Sequence, residues 1–188
     1  MTSHRYIALL RGINVGRAKR VAMADLRTLT DELGFGDVRT VLNSGNLVFS
    51  AAATEPGAAA AAIEEQLVLK LGVSARVFVL GREVLAAVLA DNTLLPVATN
   101  HSRLFVFLLP DADTHAAALS LCERDWGNEA FSVGRHAAYV WCPEGVLDSA
   151  AATALGKLLG DNTTSRNWNT LCKLYALCTE NAPVPPGA

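Results

Sequence analysis

The sequence predicts an α+β fold, and three observations carry the prediction. Apolar runs of strand length alternate with apolar stripes of helical period, in the order strand, helix, strand, strand, helix, strand, as far as Leu80. The order begins again at Leu104. In each half a glycine-bearing turn separates the second and third strands, Asn43-Ser44-Gly45-Asn46 in one and Gly134-Arg135-His136 in the other. This order is the split βαβ, α/β-plait or ferredoxin-like arrangement, in which two helices cover one face of an antiparallel sheet. Two such units are expected, the second ending in an extra C-terminal helix.

Each element follows from its residues. Tyr6 to Leu10 is an unbroken apolar run and reads as a buried strand. Met23, Leu26, Leu29 and Leu33 then recur at helical spacing, and Gly34 stops the helix. Val38 to Leu42 and Leu47 to Ser50 flank the Ser-Gly turn as a hairpin. Thr54 and Pro56 start a second helix, Ile63, Leu67 and Leu71 continue it, and Gly72 ends it. Ala75 to Leu80, with its Val and Phe, is the fourth strand. A short helix over Arg82 to Ala90 follows, and Asp91 to Ser102, with Pro96, reads as a linker.

The second unit opens on Leu104 to Leu109, with a helix around Thr114 to Arg124 capped from Asp111, strands over Ala130 to Val133 and Ala137 to Cys142, and a helix over Leu147 to Leu159. Its fourth strand is expected to be missing, because Trp168, Leu171, Tyr175 and Cys178 form a helical stripe where that strand would lie, with N-caps offered by Asn162 to Ser165. We assign residues 1–90 to the first unit, 91–102 to a linker, 103–180 to the second unit with its closing helix, and 181–188 to a disordered tail.

Composition narrows the function classes. A chain of 188 residues buries roughly 70% of its unfolded surface, enough for a packed core without staples. No apolar stretch reaches the length of ~20 residues that crosses a bilayer, and the opening residues carry no hydrophobic signal core. A cytoplasmic location and no membrane partner are expected. Cys122, Cys142, Cys172 and Cys178 form no C-x-x-C pair and the four histidines are scattered, so no metal site is expected and the cysteines read as reduced packing residues. Five of the 16 Lys/Arg precede the first carboxylate, Asp25, leaving 11 against all 18 Asp/Glu. That asymmetry disfavours a general polyanion binder and allows a local anion site near the first strand.

The working surface is expected at the exit of that strand, where Arg11-Gly12-Ile13-Asn14-Val15-Gly16 and then Arg17 form a glycine-bearing loop. Three residues stand between Gly12 and Gly16, where a P-loop needs four followed by Lys and Ser/Thr; G-x-G-x-x-G is absent as well. In the split βαβ arrangement the first strand ends at the sheet edge where the hairpin turns. Arg11, Gly12, Asn14, Gly16 and Arg17 should therefore neighbour Asn43, Ser44, Gly45 and Asn46, a rim of guanidinium, amide and hydroxyl groups suited to phosphate or carboxylate. On the closing helix Arg166, Asn169, Thr170 and Lys173 form a second candidate patch opposite the apolar stripe. There is no G-x-S-x-G, no H-E-x-x-H and no evident nucleophile and base pair, so the sequence leaves open whether the protein is an enzyme and names no cofactor.

With Arg11 to Gly16, Asn43 to Asn46 and Arg166-Asn167-Trp168-Asn169-Thr170, the chain resembles the bacterial proteins grouped as domain-of-unknown-function family 1697, DUF1697. The resemblance spans nearly the whole chain and implies a pair of ferredoxin-like units in a small soluble bacterial protein, with no reaction attached. Family members often carry a Ser and then a basic residue at the helix start after Pro143-Glu144-Gly145, where this chain has Asp148-Ser149-Ala150. The function expected is binding of a small anionic ligand, a nucleotide or phosphorylated metabolite, at the first rim. The alternatives are a nucleic-acid-binding module, with Tyr6 and Phe49 as base-stacking residues, and a protein-interaction domain. The oligomeric state is not set by the sequence.

Overall fold

The structure is a computed structural model and describes residues 3–14 and 20–180. Contacts group the chain into two compact units: the described residues up to Arg82 together with Lys173 to Glu180, and Glu83 to Cys172.

In the first unit the elements are β1 (His4–Arg11), α1 (Met23–Glu32), β2 (Gly36–Val41), β3 (Asn46–Ala51), α2 (Pro56–Leu71) and β4 (Arg76–Gly81). The sheet runs β2-β3-β1-β4 with every neighbouring pair antiparallel, the expected split βαβ order. Alternation along β1 decides what the helices cover. Tyr6, Ala8 and Leu10 pack with Leu47 and Phe49 of β3, with Leu26 and Leu29 of α1, and with Ile63 and Leu67 of α2. Ile7, Leu9 and Val48, on the opposite face, are buried as well. Burial on both faces explains why β1 reads as a continuous apolar run instead of an alternating one. Pro56 opens α2, and Gly72 closes it in the left-handed region at φ 58°. Glu64 of α2 accepts a hydrogen bond from Val77 N at 2.7 Å, satisfying a backbone donor on the edge strand β4.

In the second unit the elements are α3 (Arg82–Ala90), β5 (Leu104–Leu108), α4 (Ala112–Leu119), β6 (Ala130–Val133), β7 (Ala137–Trp141), α5 (Ala150–Leu159), β8 (Ser165–Asn167) and α6 (Trp168–Thr179). By the grouping above, α3 contributes all but its first residue to this unit and α6 only its first turn. The sheet order β6-β7-β5-β8 repeats that of the first sheet. One face, with Phe107, Ala138 and Val140, packs on Ala118 of α4 and Ala151 and Leu155 of α5. On the other, Tyr139 is fully buried and donates to Val88 O of α3 at 2.6 Å.

Several expectations are corrected. The fourth strand of this unit is present: β8 pairs antiparallel with β5, Phe105 opposite Asn167, Val106 opposite Arg166 and Phe107 opposite Ser165. Three polar residues are too few to show a strand period, and the helical stripe beginning at Trp168 hid them. The cap of α6 is Asn167, whose Oδ1 accepts from Thr170 N at 3.0 Å and Thr170 Oγ1 at 2.8 Å; residues 160–162 instead form a 3-10 turn. Helix α4 stops at Leu119, short of Arg124, while Asp111 caps it through a capping box with Thr114. Helix α5 starts at Ala150, capped by Ser149 and by Glu129, whose carboxylate accepts from Ala150 N at 2.8 Å. The start of α5 is thus met by an acidic side chain. Cys142 and Cys178 are buried, but Cys122 and Cys172 are exposed, so only two of the four thiols pack inside.

Candidate functional site

The rim is assembled from β1 outward. Beyond the last paired residues, Leu9 and Asn46, the β1 to β3 pairing continues one step as Leu10 N donates to Gly45 O at 2.8 Å. The chain then leaves the sheet through Gly12 at φ 74° and Asn14 at φ 55°, a left-handed conformation that Asn tolerates because its short polar side chain bonds locally. Asn14 Nδ2 donates to Val21 O at 2.9 Å and to Asn43 O at 2.7 Å, and its Oδ1 accepts from Val21 N at 2.8 Å. One side chain therefore fastens the β1 exit both to the chain returning toward α1 and to the β2–β3 hairpin. The two loops meet, as the topology requires.

The hairpin is closed from within. Asn46 is fully buried, and its Nδ2 donates to Val41 O at 2.8 Å and Ser44 Oγ at 2.9 Å. Gly45 has φ 77°, and a Cβ there would stand 2.7 Å from Ile13 Cδ1 and 2.8 Å from Leu10 Cβ. Backbone meets side chain so closely that only glycine fits. Ile13 is itself buried, plugging the rim from below.

The residues of the rim thus divide by role. Both N–H groups of the Asn14 amide and both of Asn46 go to partners inside the protein, so these two residues build the frame. Gly12, Asn43 and Ser44 are exposed, Arg11 is half-buried, and Arg20 is exposed nearby in the chain. Gly16 and Arg17 lie outside the described residues. A further residue joins the rim: in the β1 to β4 pairing Arg11 stands directly opposite Arg76, which is exposed. Like charges stand in direct register there, an arrangement that is unfavourable to strand pairing by itself. Sequence reasoning passed over Arg76, although the topology contains the signal, since the first residue of β4 lies beside the last of β1.

The second patch does not form the expected single face. Arg166 belongs to β8 and donates through Nη1 to Thr164 Oγ1 at 3.0 Å and Ser165 O at 2.8 Å. Loss of solvent lowers its pKa to about 10, a measure of how far the guanidinium is withdrawn from water. Thr170 is buried on the Asn167 cap, leaving Asn169 and Lys173 as the exposed pair on α6.

In the second unit, Leu109 to Ala112, His115, Arg135 and His136 line a shallow cleft at the equivalent sheet edge. Its arginine is engaged outside the lining: Arg135 donates to Asp91 through Nε at 2.9 Å and Nη2 at 2.8 Å, and these bonds hold the Asp91 carboxyl down at about 2. His115 Nε2 lies 3.1 Å from Gly134 O. Among the described residues no group of three or more His, Cys, Asp or Glu stands together to hold a metal ion, and no helix is long and apolar enough to cross a membrane.

Tyr6 and Phe49 offer no base platform. Their rings stack with centroids 5.6 Å apart, Phe35 stacks on Phe49 at 4.6 Å, and all three lie in the core beneath the helices.

Comparison with known proteins agrees with this architecture. A family described as "Protein of unknown function (DUF1697)" matches residues 3–139. Among solved structures, the conserved bacterial protein SP0830 from Streptococcus pneumoniae is similar with a TM-score of 0.76 at 23% identity, over 94% of this chain and 99% of that one. That likeness is one of fold. No curated protein matches the chain.

Proposed function

Because the chain belongs to the DUF1697 family, whose description carries no activity, we propose a role from the rim itself: binding of a small anionic ligand, a nucleotide or phosphorylated metabolite, at Arg11 to Asn14, Asn43 to Asn46 and Arg76. The observation that carries the reading is the register of Arg11 against Arg76 at the mouth of a braced loop. Two guanidinium groups brought to one strand end raise the local positive potential, and a phosphate between them gains charge-assisted hydrogen bonds from both. Asn14 and Asn46 hold the geometry in advance, which lowers the ordering cost of binding. Gly12, exposed with nothing within 4 Å of the position of an added Cβ, leaves its backbone open to a ligand. Gly16 and Arg17 are part of the same proposal. The ligand's place in the cytoplasm is proposed with it, on the support of four free cysteines.

A thermal-shift panel of nucleotides, phosphorylated metabolites and short RNA and DNA tests the reading in wild type, Arg11→Ala and Arg76→Ala. A compound at 100 times its dissociation constant adds about 2.7 kcal/mol, or roughly 5–10 °C for a chain of this size. The expected result is a shift with one anionic class, lost in both variants and weakly dependent on salt. A shift with RNA or DNA alone that collapses steeply with salt would move the assignment to nucleic acid. Absence of any shift would refute the anion site.

A further inference from the structure

We propose that Leu42 selects the ligand of this rim, and that it selects a nucleotide over a phosphorylated sugar. The inference rests on the anion-binding reading and adds the apolar half of the ligand to it. Leu42 sits at φ 58°, in the left-handed region where the Cβ of an ordinary side chain crowds the following carbonyl. Turn geometry asks for that conformation, and elsewhere on the same rim glycine or asparagine supplies it, at Gly12, Asn14 and Gly45. At position 42 the chain carries leucine instead. Nor does burial compensate, because the residue is 55% exposed. A leucine strained in its backbone and wetted in its side chain contributes to the fold through neither route, and residues of this kind concentrate at ligand contacts.

Its place in the rim indicates what it would touch. Leu42 precedes Asn43, whose carbonyl is the one held by Asn14 at 2.7 Å. The exposed residues that follow, Asn43 and Ser44, are polar, so Leu42 is the apolar element of this exposed turn. In the sheet order β2-β3-β1-β4 the end of β2 lies two strand spacings, roughly 10 Å, from the end of β1, so a molecule with its phosphate at Arg11 and Arg76 must extend across the sheet edge to reach Leu42. A nucleobase covers the leucine and removes apolar surface of both from water, whereas a sugar phosphate presents hydroxyl groups to it.

The test is calorimetric titration of wild type and Leu42→Asn with the four ribonucleoside 5′-monophosphates and with ribose 5-phosphate, alongside the melting temperature of each protein. In wild type at least one mononucleotide should bind about tenfold or more tightly than ribose 5-phosphate. In Leu42→Asn that preference should fall to threefold or less while the melting temperature is unchanged or raised, since asparagine accepts the left-handed conformation. Equal binding of ribose 5-phosphate in wild type, or a preference intact in the variant, overturns the role of Leu42 and leaves the anion site standing. A lowered melting temperature in the variant also overturns it, by showing that the leucine supports the fold. An absence of binding heat with all five compounds overturns the assignment of Leu42 to nucleotide selection, while the anion site itself stands or falls with the thermal-shift panel.

Discussion

Gly45→Ala is expected to be among the most damaging single-methyl additions to the first unit. The backbone at Gly45 has φ 77°, so any L side chain there costs roughly 1–2 kcal/mol. The new Cβ would also meet Ile13 Cδ1 at 2.7 Å and Leu10 Cβ at 2.8 Å, separations that real Cβ atoms do not hold. Both neighbours are buried, so relief must come from moving packed side chains, at about 1–3 kcal/mol more. The total is about 2–5 kcal/mol. Gly12→Ala is the internal control: φ is 74° but an added Cβ meets nothing within 4 Å, so only the conformational part of about 1–2 kcal/mol applies. Urea unfolding followed by far-UV circular dichroism measures both variants. Trp126, Trp141 and Trp168 all lie in the second unit, so indole fluorescence would report on the wrong half. With a slope of roughly 2–3 kcal/mol per molar urea for a chain of this size, Gly45→Ala should lower the midpoint by about 1 M or more. A loss no larger than that of Gly12→Ala would refute the packing argument and with it the braced contact between the two loops.

Two further predictions concern the second unit. Asn167→Ala removes the acceptor of both Thr170 hydrogen bonds and should destabilise it by about 0.5–2 kcal/mol, read from chemical denaturation, while Asn167→Asp at neutral pH should retain most of the stability; equal losses in both would mean that Asn167 is not the cap. Asp91→Asn tests the pairing with Arg135. Because hydrogen bonds from Arg135 hold the folded Asp91 carboxyl below its ordinary 3.8, at about 2, its contribution is complete above that ordinary value and is lost as pH falls through the folded one. The melting temperatures of wild type and variant should therefore differ near neutral pH and converge toward about pH 2, and a difference independent of pH would show that the carboxylate charge is not what matters.

Local pattern made most of the fold legible. Helical stripes such as Leu26, Leu29 and Leu33, and strand runs such as Tyr6 to Leu10, are set by neighbours in sequence, because side-chain period follows backbone geometry. Element order then implied the topology, and topology alone brought the β1 exit beside the β2–β3 hairpin. The chief miss, β8, fails for the same reason the others succeed: three polar residues show no period, and their pairing with β5 is set by a partner some 60 residues away. The stripe drawn through Arg166 and Thr170 fell with it, since a strand and a helix meet at Asn167 and the face does not continue across the junction.

By itself the sequence determined the two α+β units, the strand order of the first, and the meeting of two polar loops at one sheet edge. Only tertiary structure decided which atoms of that edge remain available. Asn14 and Asn46 look in sequence like ligand-facing amides, yet their Nδ2 groups are taken up by the backbone carbonyls of Val21, Asn43 and Val41, which close the two loops. Tyr6 and Phe49 look equally suited to a sheet surface or a core; the helices of the first unit cover the face on which they stand. The opposition of Arg11 and Arg76, like the left-handed backbone of Leu42, depends on register and turn closure. These are properties of strands brought together, which no single segment of the chain contains.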